Sequence, residues 1–187
     1  MEKYLFITDY QFGTISKIEV VEAECEQDAV EKWIKAIDFP YIGPKSIRKM
    51  LLQIRQGEEY PVKIRGFSEI KNLIFFLNGK SLLTNYLKIR NTPDVRESDS
   101  SFVFFVLFQR GNFIYKSPVK CLEKVMPHWS RYLSWRYYSK EERAAIRKAV
   151  SEMPSLNMVI EGLVWKFESS ILGNRLEVYI VELEEAS

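Results

Sequence analysis

The sequence predicts an α+β protein of two tandem ββααββ repeats. Each repeat has an antiparallel sheet covered by two helices, and the two pack as a pseudo-twofold pair. Three observations predict this. First, FVFFVLFQRGNFIYK (102–116) restarts the pattern of YLFITDYQFGTISK (4–17), with Phe6 opposite Phe104, Gln11 opposite Gln109 and Gly13 opposite Gly111. Second, Cys25 is followed eight positions later by Trp33, and Cys121 eight positions later by Trp129. Third, Ile47-Arg48-Lys49 recurs as Ile146-Arg147-Lys148, and IKNLIFFL (70–77) resembles IEGLVWKF (160–167). Matches in one order along the chain favour a duplication, and internal repeats decide the fold before any single element does.

The elements follow in order. Residues 3–24 read as two strands, dominated by β-branched and aromatic residues with Gly13 at the turn. In residues 26–37, Ala29, Val30, Trp33, Ile34 and Ile37 recur at helical spacing, and acids fill the first turns. DFPYIGPK is a loop. Across Ser46–Gln56, Ile47, Met50, Leu51 and Ile54 make one apolar stripe, with Gly57 as a C-terminal stop. EEYPVKIRG leads to strands over 69–77 and 82–90, joined at Asn78-Gly79, a strong hairpin signal. NTPDVRESDSS (91–101) is polar and reads as a connection. The domains are therefore 1–92, a linker at 93–101, and 102–187.

The second domain repeats the order. Strands are expected over 102–109 and 112–119, with Gly111 at the turn. A helical or irregular stretch over 120–138 contains Pro127. Ser139 opens a helix through SKEERAAIRKAVSEM, and Ser139 with Glu142 has capping-box spacing. Strands over 158–168 and 175–183 turn around Gly173-Asn174. A sheet with one apolar face needs a cover, and two amphipathic helices suffice. Two such units would pack like a fused dimer.

Composition narrows the function. At 47% apolar and 28% charged, the chain is ordinary for a globular protein, and 14% aromatics suit a β-rich core. A net charge of +2 supplies no global field toward nucleic acid or an anionic membrane. No run reaches the ~18 apolar residues of a membrane span, and the N-terminus lacks a signal-peptide pattern. The expected location is cytoplasmic. Cys25 and Cys121 form no CxxC, so they read as small apolar residues rather than a disulfide or zinc site.

Chemical motifs are weak. The single histidine, His128, is separated from Cys121 by about 10 Å of helix disturbed by Pro127, which argues against a dyad. The GKS at 79–81 lacks the earlier glycine of a phosphate loop and sits between strands rather than before a helix. No catalytic residue, metal site or cofactor is expected.

Charge is more informative in blocks. Residues 45–90 and 110–148 each hold ten Lys/Arg against three acids, and 19–38 and 152–187 each hold seven acids against two bases. The candidate binding residues lie in the basic blocks: Arg48, Lys49 and Arg55 in the first, and Arg136, Arg143, Arg147 and Lys148 with Trp129, Trp135 and Tyr138 in the second. Arg, Trp and Tyr dominate protein–protein hot spots. Basic residues with stacking aromatics also serve single-stranded nucleic acids. The sequence therefore suggests a small soluble non-enzymatic binding protein with a protein partner, of inhibitor, immunity or anti-defence type, monomeric or weakly dimeric. The alternative is a nucleic-acid-binding protein using paired basic helices with interleaved aromatics.

Overall fold

A computed structural model describes residues 1–10, 15–77, 79–89, 100–109 and 111–184. The chain divides into two compact units, Met1–Thr92 and Pro93–Ser187. The expected turn at Gly13 and nearly all of the expected linker lie outside the described residues; Ser101 opens with Ser100 a strand.

The first unit runs β1 (Glu2–Tyr10), β2 (Ile15–Ala23), α1 (Glu26–Ala36), α2 (Pro44–Gln56), β3 (Val62–Lys63), β4 (Ile70–Leu77) and β5 (Lys80–Ile89). Its antiparallel sheet has the order β2-β1-β5-β4-β3. The second unit repeats this as β6 (Ser100–Phe108), β7 (Gly111–Ser117), α3 (Leu122–Arg131), α4 (Lys140–Ser151), β8 (Asn157–Ile160), β9 (Val164–Ile171) and β10 (Asn174–Glu184), in the order β7-β6-β10-β9-β8. The fold is a tandem α+β duplication, as the sequence predicts.

Each unit has one strand more than expected. β3 is two residues long, too short to carry a period. β8 merges with β9 in the sequence pattern, but Gly162, at φ 63°, turns the chain between them. The expected strand over 158–168 is thus two strands. The last hairpin turns at Leu172-Gly173, one residue before the expected place, because Ile171 pairs with Asn174. Gly111 likewise begins β7 rather than sitting in the turn. A Cβ there would lie 2.2 Å from Cζ of Phe113, whose ring covers the glycine.

The matched strands correct the internal alignment. β1 and β6 stand 98 residues apart, as predicted. Glu26 and Leu122 open α1 and α3, and Pro44 and Lys140 open α2 and α4, so both helix pairs stand 96 apart. The Ile-Arg-Lys match, 99 apart, is therefore no structural equivalence. Met50, not Ile47, occupies the place of Ile146; both are fully buried, whereas Ile47 is half-buried. β4 likewise matches Val164–Ile171 rather than residues 160–167.

One face of each sheet meets its helices. Trp33 of α1 stacks on Phe6 at 5.2 Å, and Phe6 stacks on Tyr86 at 4.9 Å. Trp129 of α3 repeats the first contact, stacking on Phe104 at 5.9 Å. Such stacks add to the burial of large rings. α1 lacks a side-chain cap, but Glu26 in its first turn accepts from Tyr86 Oη at 2.6 Å and pairs with Lys71 Nζ, anchoring the helix to β4 and β5. Burial alone would raise the Glu26 carboxyl; the Lys71 and Tyr86 hydrogen bonds outweigh it and hold the carboxyl below its ordinary value. α4 has the predicted capping box, with Ser139 Oγ accepting from Glu142 N–H at 3.1 Å and Glu142 Oε2 from Ser139 N–H at 2.7 Å. The opposite sheet faces are also apolar, with Leu5, Ile7 and Leu87 in one unit and Val103, Phe105 and Val181 in the other, which explains why β1 and β6 do not alternate cleanly.

Candidate functional site: the connection between α3 and α4

The segment joining α3 to α4, Tyr132–Ser139, has to do two things for the fold. It seats Leu133 and Tyr138 in the core and presents Ser139 as the cap of α4. At a separation of 96, Leu133 matches buried Ile37 and Tyr138 matches buried Ile42. Burial pushes the Tyr138 hydroxyl well above the ordinary tyrosine range. Exposed Tyr137 likewise matches exposed Tyr41.

The remaining positions diverge. Ala36 becomes Tyr132, Phe39 becomes Trp135, and Pro40 becomes Arg136. Phe39 is buried, with its ring 5.8 Å from that of Tyr10. Trp135 is 74% exposed. The backbone explains the swing. In the first unit, Ile42 N–H donates to Phe39 C=O at 3.1 Å around Pro40-Tyr41, and Tyr41 has φ 72°, the pattern of a type II turn. In the second unit, the N–H groups of Tyr137 and Tyr138 both donate to Ser134 C=O, which wraps a wider turn and carries Trp135 outward.

The connection thus exposes Tyr132, Trp135 and Tyr137 within one short run of chain that also carries exposed Arg131 and Arg136, and this run is the candidate patch. Arg136 Cζ lies 5.9 Å from the centre of the Trp135 ring, within cation–π range. Tyr137 leans on Phe113 at 4.6 Å, and Tyr132 on the His128 ring at 4.7 Å. His128 Nδ1 is 3.5 Å from Tyr115 Oη, whose hydroxyl burial pushes upward. Two of the three exposed rings are thus braced from below, which lowers the entropy lost on binding.

The other candidate residues are dispersed. Trp129 and Tyr138 belong to the core, so their rings are taken up by packing. Arg147 donates from Nε to Ser130 C=O at 3.0 Å and from Nη2 to Arg131 C=O at 3.3 Å, satisfying the last carbonyls of α3. Arg143 donates to Ser139 C=O at 3.3 Å, and Lys148 lies 3.9 Å from Glu152. Arg55 grips Glu31, whose carboxyl it holds below its ordinary value. Arg48 and Lys49 are exposed on α2 and form no ion pair among the described residues. Only Trp135 and Arg136 of the ten join the patch. Tyr132, Tyr137 and Arg131 complete it; the signal for them was the comparison with residues 36–41, hidden by the misaligned tripeptides.

Other chemistry gathers little. Among the described residues, no group of three or more His, Cys, Asp or Glu could hold a metal ion. Among the described residues, no helix is long and apolar enough to cross a membrane. Lys80 and Ser81 of the GKS string begin β5, so no helix follows it. Cys25 and Cys121 are free thiols at the N-caps of α1 and α3; Cys25 is exposed and Cys121 half-buried, contrary to the expectation of buried apolar residues.

The fold and the patch define a two-unit α+β protein with one elaborated connection. No family model matches the chain, and neither a curated protein nor a solved structure matches it.

Proposed function

We propose that the chain is a non-enzymatic binding protein that engages a protein partner through the α3–α4 connection. One observation carries the reading: the same connection in the first unit serves the fold without exposed Tyr132, Trp135 or Arg136, so these side chains are surplus to folding. Exposed Trp and Tyr beside Arg are the residue types that anchor protein interfaces. A small chain that acts by covering a partner's surface fits an inhibitor, immunity or anti-defence factor of the cytoplasm.

A second reading rests on the same rings. Arg136 over Trp135 resembles the stacking platforms that hold unpaired bases. Affinity capture from host lysate, with and without nuclease, separates the two. The protein reading expects a partner retained after nuclease by the wild type and lost by Trp135→Ala. Retention that vanishes with nuclease, or that Trp135→Ala leaves intact, would overturn it.

A further inference from the structure

We infer that the outer edge of β9 is a docking site for an extended peptide segment, which adds as a strand beside α4. This surface lies on other elements than the α3–α4 patch and does not depend on it.

The register supplies the argument. Leu172 and Gly173 both have positive φ, at 50° and 82°, and Ile171 pairs with Asn174 across them, the geometry of a two-residue type I′ hairpin. The residues closing such a hairpin exchange hydrogen bonds, and the direction then alternates along the strand. Ile171, Ser169 and Phe167 therefore turn their backbone groups to β10. Ser170, Glu168 and Lys166 turn theirs outward. β8 meets Lys166 through Asn157 and then leaves the edge. No strand among the described residues pairs with Glu168 or Ser170 on that side. An open edge of this kind is a template for an added strand.

The space beside it is also open. A groove of about 580 Å³ runs between α4 and residues 166–172 of this edge. Ala145 and Ala149, one turn apart on α4, form its wall, with Phe167 and Ile171 below. At the matching positions of α2 stand Lys49 and Gln53, whose long side chains replace the two methyl groups. The two units thus share the strand pattern but not the alanine pair.

Charge selects the occupant. Lys148 faces Glu152, while Lys166 and Arg175 are paired with Glu168 and Glu177. The groove's charges are balanced internally, so a charged segment gains nothing and loses hydration. The occupant that fits is an uncharged protein segment of about five residues in β conformation, with small or β-branched side chains toward the alanines.

The test uses the full chain and a capped Thr-Val-Thr-Val-Thr peptide at millimolar concentration, followed by amide shifts in NMR. The expected shifts fall on Phe167–Ile171 and on Ala145–Glu152. Ala149→Gln, which fills the groove, should remove them, and Ser170→Pro, which deletes an outward N–H, should weaken binding several-fold. Both variants should keep the wild-type melting temperature. Of two probes N-methylated on alternate residues, one should bind and the other should not, because only alternate N–H groups face β9. The inference is overturned by absent shifts, by shifts elsewhere, or by equal binding of both methylated probes. Self-association removed by the same variants would assign the edge to a second copy and also overturn it.

Discussion

Met50 and Ile146 occupy the same place in their units, and this equivalence fixes which side chains carry the helix–sheet contacts. Truncating a fully buried Met or Ile costs its transfer energy and leaves a cavity, together about 2–5 kcal/mol. Met50→Ala and Ile146→Ala should each fall in that range, whereas Ile47→Ala, half-buried, should cost roughly half as much or less. Urea denaturation of the three variants checks this; a larger loss for Ile47→Ala would restore the tripeptide alignment. The apolar stripe of α2 was legible in the sequence, but not its centre. Stripes at i, i+3 and i+4 mark a face, and only packing shows which member sits deepest. Trp129 and Tyr138 teach the same lesson. Sequence marks them as aromatic neighbours of arginine; Phe104 and Phe108 claim their rings.

Elements were legible where they are long and periodic. α1, α2, α4 and the long strands other than β9 follow directly from apolar spacing and turn residues; the pattern joins the first half of β9 to β8. β3 and β8 escaped because a strand of two or four residues has no measurable period and takes its hydrogen bonds from a neighbour. The sequence pattern points one residue too late for the last hairpin because Leu172, at φ 50°, is an unusual residue for its position. In the first unit Leu77 pairs with Lys80, and the sequence between them is Asn78-Gly79, the preferred pair for a two-residue hairpin. Leu172→Asn should therefore stabilise the protein by roughly 1 kcal/mol, since a left-handed leucine is strained and this one is 62% exposed. A thermal melt reads the gain. A fall in melting temperature would mean that the exposed leucine makes a contact worth more than the strain.

At the scale of the molecule, the duplication was readable because it repeats large features: Phe6 and Trp33 return as Phe104 and Trp129 in the same stack. The patch was half-readable. Aromatic and basic letters mark residues 129–138, but spacing alone cannot separate rings that fill a core from rings that leave it. The copy in the same chain does separate them, since it shows what the fold requires of residues 37–43. The central claim is that the second unit keeps that requirement and adds a binding surface. Its most direct test is a calorimetric titration of the captured partner against wild type and against a variant carrying Tyr132→Ala, Trp135→Ala and Arg136→Ala, with a thermal melt of each protein. The account predicts unchanged melting and an affinity lowered at least about a hundredfold, the loss expected when hot-spot anchors are truncated. Equal affinity at equal melting temperature, or collapse of the fold in the variant, would contradict it.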